Sequence, residues 1–333
     1  MENKGYIPPG LSYLADNIKT KGNILGAAKA DGARWAKGLD LPKQKETIFF
    51  AGCGYQFDSK LESLMGLIRK MDKSVVGSDL AMGVAGFQKK LGLDGMFLKM
   101  VGRGGVEDGQ PLRDAIKVLR KLGENPGYLA EEEPCCGGLL HYMGAADEFA
   151  QHSHTVVEKL KSKGVKRIIG LVPSCTYTLR TLTGKVNSGH NLDVKHFSEV
   201  VAANIKSLRL RFPKPVKVTY HDPCQLVRYM GLVEEPRIIL RAIQDLELME
   251  TKWTRGEWST CCGGGGGFEA VFPEMSEMLA ANRAKEMLET GAELIVTNCP
   301  GCIMQLKTGL KAAKAENIEV LDLAQVVAMS MEG

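Results

Sequence analysis

A chain of 333 residues with 44% apolar and 25% charged residues has the make-up of a globular protein of about two domains. Its formal net charge of +4, spread without a long basic block, is too small to imply nucleic acid or an anionic membrane as a partner. No secretory leader is visible and no run approaches the roughly 18–20 apolar residues of a membrane span, so a cytoplasmic protein is expected, with any membrane role running through a partner.

Residues 1–45 are polar, contain Pro8-Pro9 and several glycines, and read as an extended N-terminal arm with short helices. Glu46-Thr-Ile-Phe-Phe-Ala-Gly-Cys53 reads as a strand that ends in cysteine. An insertion follows within roughly residues 70–115, where Ala81-Met-Gly-Val-Ala-Gly-Phe87 and Gly95-Met-Phe-Leu-Lys-Met100 are apolar and Met-rich. It reads as an extra helical hairpin closing its own core, or as a partner surface. Cys135-Cys136-Gly137-Gly138 comes next, then a helical pattern over 145–163 stopped by Gly164, a short buried strand at 166–171, and Cys175.

The order then repeats. Val216-Lys-Val-Thr-Tyr-His-Asp-Pro-Cys224 is again a strand ending in cysteine. Cys261-Cys262 precedes the run Gly263 to Gly267, a helical pattern over 270–290 is stopped by Gly291, residues 293–297 read as a strand, and Cys299-Pro-Gly-Cys302 follows it. The Cys-Cys-Gly-Gly motifs are offset by 126 residues, Gly164–Arg180 matches Gly291–Lys307 at 127, and Asn191–Val194 matches Asn317–Val320 at 126. The chain is therefore two copies of one unit, residues 46–210 and 211–333, with about 45 extra residues in the first. Strands alternating with helices predict an α/β fold of Rossmann-like units, each a parallel sheet covered by helices, with the cysteines at the carboxyl edge. Two such units are expected to face each other about a pseudo-two-fold axis, placing Cys53, Cys135 and Cys136 opposite Cys224, Cys261 and Cys262.

Nine cysteines without a leader, two pairs of them adjacent, argue for metal rather than disulfides. In repeat two, 36 residues separate Cys224 from Cys261 and 36 separate Cys262 from Cys299. Thiolates are soft ligands for iron–sulfur clusters or zinc, and five of them exceed the four of a structural zinc. Gly263 and Gly264, and Gly137 in repeat one, would let the backbone approach a cluster and point amides at sulfur.

These residues carry a resemblance. Cys, Cys-Cys-Gly and Cys-x-x-Cys, present twice, with His221-Asp-Pro-Cys224 and Glu235-Pro-Arg237, resemble the CCG (cysteine-rich) domains of the heterodisulfide reductases. In that family the paired domains form either a subunit of their own or the C-terminal half of a longer one. Gly22-Asn23 and Arg34-Trp35-Ala-Lys-Gly-Leu39 resemble the linker that follows a ferredoxin-type domain in the longer form. The resemblance implies a non-cubane [4Fe-4S] cluster on Cys224, Cys261, Cys262, Cys299 and Cys302, with Cys224, Cys261 and Cys262 facing a small disulfide or sulfur substrate. It also implies a complex with a ferredoxin-like [4Fe-4S] subunit and a flavin-containing subunit, the former docking near residues 1–45. Related oxidase subunits only carry electrons, and that alternative stays open. Repeat one departs from the pattern, because Val172 stands where Cys299 stands. Its Cys53, Cys135, Cys136 and Cys175 are left to hold an altered cluster, a zinc ion or nothing.

Other polar residues are ambiguous. His221 is either an acid for a departing thiolate or a strand-end histidine bonded to backbone. His141 either reaches the first cysteine site or lies outside it, and Arg237 either binds an anion or caps a loop. His152 and His154, two residues apart on a helix, should face different sides.

Overall fold

The computed structural model describes residues 8–72 and 109–331. The Met-rich stretches 81–87 and 95–100 of the insertion lie outside the described residues. The apolar runs form β1 Thr47–Phe50, β2 Arg167–Gly170, β3 Asp193–His196, β4 Arg211–Tyr220, β5 Gln244–Met249, β6 Leu294–Thr297 and β7 Glu319–Asp322. All pairings are parallel, giving two sheets ordered β1-β2-β3 and β5-β4-β6-β7. A lone parallel bridge from Ile48 to Gly127 stands beside β1 where the second sheet has β5 beside β4. Both sheets thus follow one plan, with the edge strand of repeat one reduced to a single contact. Ile48, Phe49 and Phe50 are all buried, and so is every residue of β6, as strands covered on both faces require.

The helices show why the sheets are covered. Ala146–Ser162 buries Phe149, Val156, Val157 and Leu160 on one face and ends where Gly164 turns left-handed at φ 72°. Its counterpart Pro273–Leu288 starts on proline and is followed by Gly291 at φ 71°. With Pro300–Ala312 it packs Met287, Leu306 and Leu310 onto Ile295 and Val320, covering the outer face of the second sheet.

The inner faces share their helices. Phe197–Ala203, which follows β3, packs on Glu234–Arg241 of the second repeat. Leu323–Ser330, which follows β7, packs on Gln110–Lys121 of the first. The exchange is reciprocal, which is consistent with two units related by a pseudo-two-fold axis. One apolar core accordingly holds Ile48, Ile168 and Val194 together with Val218, Val296 and Val327.

The described part of the arm carries helices, the longest of them at its start. Pro9–Lys21 is a 13-residue helix that ends at Gly22 with φ 69°. Its Tyr13, Leu14 and Ile18 are buried in a second cluster with Cys53, Cys135, Leu140 and Phe149. The i, i+1, i+5 spacing of these three residues, with Asn17 buried between, places them on one helical face, and burial there outweighs the polar remainder. Among the described residues no helix is long and apolar enough to cross a membrane.

Candidate functional site

All nine cysteines gather at the carboxyl ends of the strands or in the loops facing them. In repeat two, Cys224 follows β4 and leads into a π-helical turn, Gln225–Tyr229. Cys299 follows β6 as the cap of the helix Pro300–Ala312, and Cys302 lies in that helix's first turn, where the helix dipole favours anionic sulfur. Cys261 and Cys262 arrive on the loop between β5 and the helix Pro273–Leu288. Cys262 and Cys302 are buried with their sulfurs 3.3 Å apart, Cys224 and Cys299 are half-buried, and Cys261 is exposed. Gly263 donates its N–H to Cys261 Sγ at 3.4 Å.

Hydrogen bonds from Cys261, Cys302 and His221 hold the Cys262 thiol well below its ordinary value in spite of burial. The same crowding lifts Cys302 and Cys261. Burial, with Cys299 and Cys262 nearby, pushes Cys224 up to about 11. Sulfurs packed this closely resist joint ionisation, and cations of iron or zinc are what allow them all to become thiolates. A sulfur-only donor set partly sealed from water therefore suits a soft metal centre.

Repeat one is the same arrangement with one sulfur missing. Cys53 lies in the short helix Gly52–Gln56 after β1, and Cys175 in Pro173–Tyr177 after β2. All four cysteines are buried, and Cys136 Sγ lies 3.3 Å from Cys175 Sγ. Bonds from Cys135 and Cys175 hold Cys136 low, while Cys135, flanked by Cys136 and Cys53, is raised. Val172 occupies the cap position that Cys299 takes in repeat two, and it is buried. A Cβ added at Gly52, whose φ is 71°, would sit 2.9 Å from Val172 Cγ2 and 3.0 Å from Cys175 Sγ, so the two strand-end turns meet only through glycine.

The two cysteine sets abut. A Cβ on Gly54 would stand 2.6 Å from Pro300 Cγ, so the turn after Cys53 presses on the Cys299–Cys302 segment. Reciprocally, Pro173–Tyr177 packs on the turn after Cys224, with the Tyr177 and Tyr229 rings 5.1 Å apart. Tyr55 donates its hydroxyl to Asp322, and Tyr142 donates to Gln225 Oε1 at 3.0 Å. Burial, Asp322 and the nearby Cys299 and Cys302 raise the Tyr55 hydroxyl far above its usual value.

The remaining polar residues resolve into supports. The His221 side chain does not bond to backbone: its Nδ1 accepts from Arg283 Nε at 3.0 Å, and its other nitrogen is left for the sulfur side. Arg237 is buried and pairs both nitrogens of its fork with Asp222 at 2.8 Å and its Nε with Glu250 at 2.8 Å, which leaves it no role as an open anion site. His141 is exposed against Tyr142 and Phe149, while His152 reaches the Cys135 carbonyl at 2.8 Å and His154 points to Asn187. The glycines face neighbouring chain: Cβ atoms on Gly137, Gly263 and Gly264 would meet His152 Cδ2 at 2.5 Å, Ser276 O at 2.5 Å and Gln305 Cγ at 2.7 Å. Three supports escaped the sequence reading. Arg283 is a fully buried charge on a helix face that also buries Ser276, Ala280 and Met287. Glu133, at the end of the acidic run Glu131-Glu132-Glu133, accepts from Ala51 N at 2.8 Å, Gly52 N at 2.9 Å and Gln56 Nε2 at 2.8 Å. Tyr55 looks like any strand-end aromatic.

Residues 101–180 and 218–307 match the model of the CCG cysteine-rich domain, more than half of the chain. The chain belongs to the CCG cysteine-rich domain family. The second CCG match encloses Cys224, Cys261, Cys262, Cys299 and Cys302, and the first encloses Cys135, Cys136 and Cys175 but begins after Cys53. Among curated relatives, a subunit of the dihydromethanophenazine:CoB–CoM heterodisulfide reductase of Methanosarcina barkeri is 33% identical over 227 residues, 65% of this chain and 54% of that protein. The EtfAB:quinone oxidoreductase of Syntrophomonas wolfei is 34% identical over 229 residues, 65% of this chain and 31% of that protein. A protein of Bacillus subtilis named "Probable iron-sulfur-binding oxidoreductase FadF" is 29% identical over 251 residues, 74% of this chain and 35% of that protein. The chain thus spans about half or less of the length of these relatives.

Proposed function

We propose that this chain is an iron–sulfur redox subunit that reduces or forms a disulfide or related sulfur bond. The observation that carries this reading is the convergence of five cysteine sulfurs at one sheet edge of repeat two, four of them buried or half-buried and Cys261 exposed. Cys224, Cys261, Cys262, Cys299 and Cys302 would hold a non-cubane [4Fe-4S] cluster. When bound, such a cluster supplies single electrons and iron able to take a thiolate. The chain's own residues do the rest. The exposed Cys261 marks the side open to a substrate, Gly263 N–H supports its sulfur, and Arg237–Asp222 fixes the turn that carries Cys224.

Reduction of a disulfide RS–SR′ takes two electrons and two protons and yields RSH and R′SH. The electrons come from a partner, a ferredoxin-like [4Fe-4S] subunit that draws on a flavin-containing one. That partner docks at the arm, whose helix Pro9–Lys21 packs against the residues around Cys53 and Cys135. The four cysteines of repeat one, the count of a tetrahedral zinc site, take an altered cluster, zinc or no metal. A second reading, electron transfer without a substrate of its own, is favoured by the similarity to a quinone oxidoreductase and by the close packing between the two cysteine sets. Anaerobically purified complex, reduced and mixed with small disulfides or persulfides, should release thiols in step with electrons consumed. No turnover of any sulfur substrate by the complete complex replaces the first reading with the second.

A further inference from the structure

At the end of β4, His221 is buried, with 1% of its surface exposed, and is sandwiched between a cation and the sulfurs. A ring nitrogen of His221 and the sulfurs of Cys262 and Cys302 all lie within 4.8 Å of one another. On the other side, Arg283 donates from Nε to Nδ1 at 3.0 Å. An arginine can only donate, so Nδ1 must accept, and the ring proton is therefore on Nε2. This assignment has two consequences. His221 cannot ligate iron, because its one free nitrogen carries a proton. It can donate that proton to a thiolate; Cys262 and Cys302 both lie beside the ring, and Cys262 is the one with which the side chain shares a hydrogen bond.

Arg283 is built to hold this state. It is buried beneath the loop that carries Cys261 and Cys262, and its Nη1 donates to Thr254 O at 2.9 Å, Thr260 Oγ1 at 3.2 Å and Glu286 Oε2 at 2.7 Å. The backbone of His221 is fixed too, its N–H donating to Val296 O at 2.8 Å. Repeat one has no counterpart. The position matching His221 is Phe50, and those matching Arg283 at offsets of 127 and 126 are Val156 and Val157.

We propose that His221, locked as the Nε2–H tautomer by Arg283, donates a hydrogen bond to the Cys262 thiolate and so raises the reduction potential of the repeat-two cluster. The inference rests on the cluster assignment above. A hydrogen bond to a ligating sulfur withdraws electron density from it and favours the reduced, more negative centre. His221 is thus a positioning residue that makes the repeat-two cluster easier to reduce than the same cluster without it.

The test compares full-length wild type with His221→Phe, the repeat-one residue, and His221→Gln, whose amide keeps a donor near the Nε2 position. Iron and sulfide content comes first, then a potentiometric titration followed by paramagnetic resonance. Iron and sulfide absent from wild type would overturn the cluster reading itself, and this inference with it. With iron retained, His221→Phe should shift the repeat-two signal to more negative potential and His221→Gln should restore most of the shift. Arg283→Met, which keeps His221 and every cysteine but unlocks Nδ1, should shift it in the same direction, and it serves if His221→Phe loses iron. An unshifted potential in an iron-containing His221→Phe or Arg283→Met overturns the inference while leaving the cluster reading intact.

Discussion

The end of β4 carries His221, Asp222 and Cys224; the matching end of β1 carries Phe50, Ala51 and Cys53. In repeat two, the carboxylate that steadies this turn comes from the turn itself. Asp222 accepts from Gly256 N at 2.7 Å and pairs with Arg237. In repeat one the carboxyl comes from the opposite side, Glu133 reaching across to the amides of Ala51 and Gly52. Burial pushes Glu133 up to about 8 against those donors. Both arrangements hold the strand-end cysteine in place. They surround the sulfurs differently, with a neutral hydrogen-bond donor in repeat two and an acidic group in repeat one. Duplication kept the scaffold and the sulfur positions while the polar supports diverged. The loss of the fifth sulfur at Val172 belongs to that divergence.

The largest effect should come from removing the paired cysteines. Cys261→Ser with Cys262→Ser should abolish most cluster absorbance and its paramagnetic signal, because it deletes two of five ligands at once. Cys135→Ser with Cys136→Ser should change iron content or spectrum less, since Val172 leaves repeat one a sulfur short of the repeat-two set. Equal losses from the two double variants would erase the distinction between the repeats, and unchanged iron and sulfide in the first would remove the assignment altogether.

Next comes an attempt to make repeat one resemble repeat two. Val172→Cys places a sulfur at the cap position of Cys299 and adds no bulk, since cysteine is smaller than valine. Metal content or spectrum should change towards that of repeat two, read by metal analysis and resonance on anaerobic protein. An identical metal content and spectrum would mean that repeat one binds nothing.

Much of this comparison was legible in the sequence. The offset of 126–127 residues aligned Cys175 with Cys302 and Val172 with Cys299, and the paired caps and sulfurs obey it. The alternation of strand and helix gave the parallel sheets because β1 and β6 are apolar but for one terminal threonine each. The strands β3, β5 and β7 were missed because each mixes charged with apolar residues and is partly exposed, so that no apolar run marks it. The supports were missed for another reason. Arg283, Glu133 and Tyr55 meet His221, Ala51 and Asp322 through tertiary contacts 62 to 267 residues away, which no local pattern encodes.

Arg237 gives the third prediction. It and Asp222 are both buried, so Arg237→Met leaves Asp222 without its charge partner under the Cys224 turn. Breaking a buried pair in this way costs about 3–5 kcal/mol, measurable by denaturant unfolding with the metal state held fixed. Glu133→Gln, its repeat-one analogue, keeps the shape but weakens the amide contacts and should cost less, about 1–3 kcal/mol. If the two variants cost the same, the supports differ in position only and not in strength.

The smallest effect concerns the two helix caps at matching positions, His196 and Asp322. Each is the final residue of the last strand of its repeat and closes a reciprocal cap, His196 with Glu199 and Asp322 with Gln325. Their titrations run in opposite directions. Burial lowers His196 from 6.5 to about 3, so between those values the unfolded chain holds a proton that the folded chain lacks. Stability from His196 is therefore present above pH 6.5 and is lost as pH falls towards 3. Burial raises Asp322 from 3.8 to about 7, so the folded chain holds the extra proton in that window. Stability from Asp322 is present below pH 3.8 and is lost as pH rises through 7. Each slope is about 1.4 kcal/mol per pH unit, and between roughly pH 4 and 6.5 they oppose one another. Asparagine can still cap a helix, so His196→Asn and Asp322→Asn remove the titration while retaining an acceptor. Relative to wild type, His196→Asn should lose stability as pH rises across that window, and Asp322→Asn should gain it. Unfolding midpoints at half-unit pH steps would show two lines diverging with opposite sign. Parallel lines would show that the two caps are not the oppositely titrating pair that their burial implies.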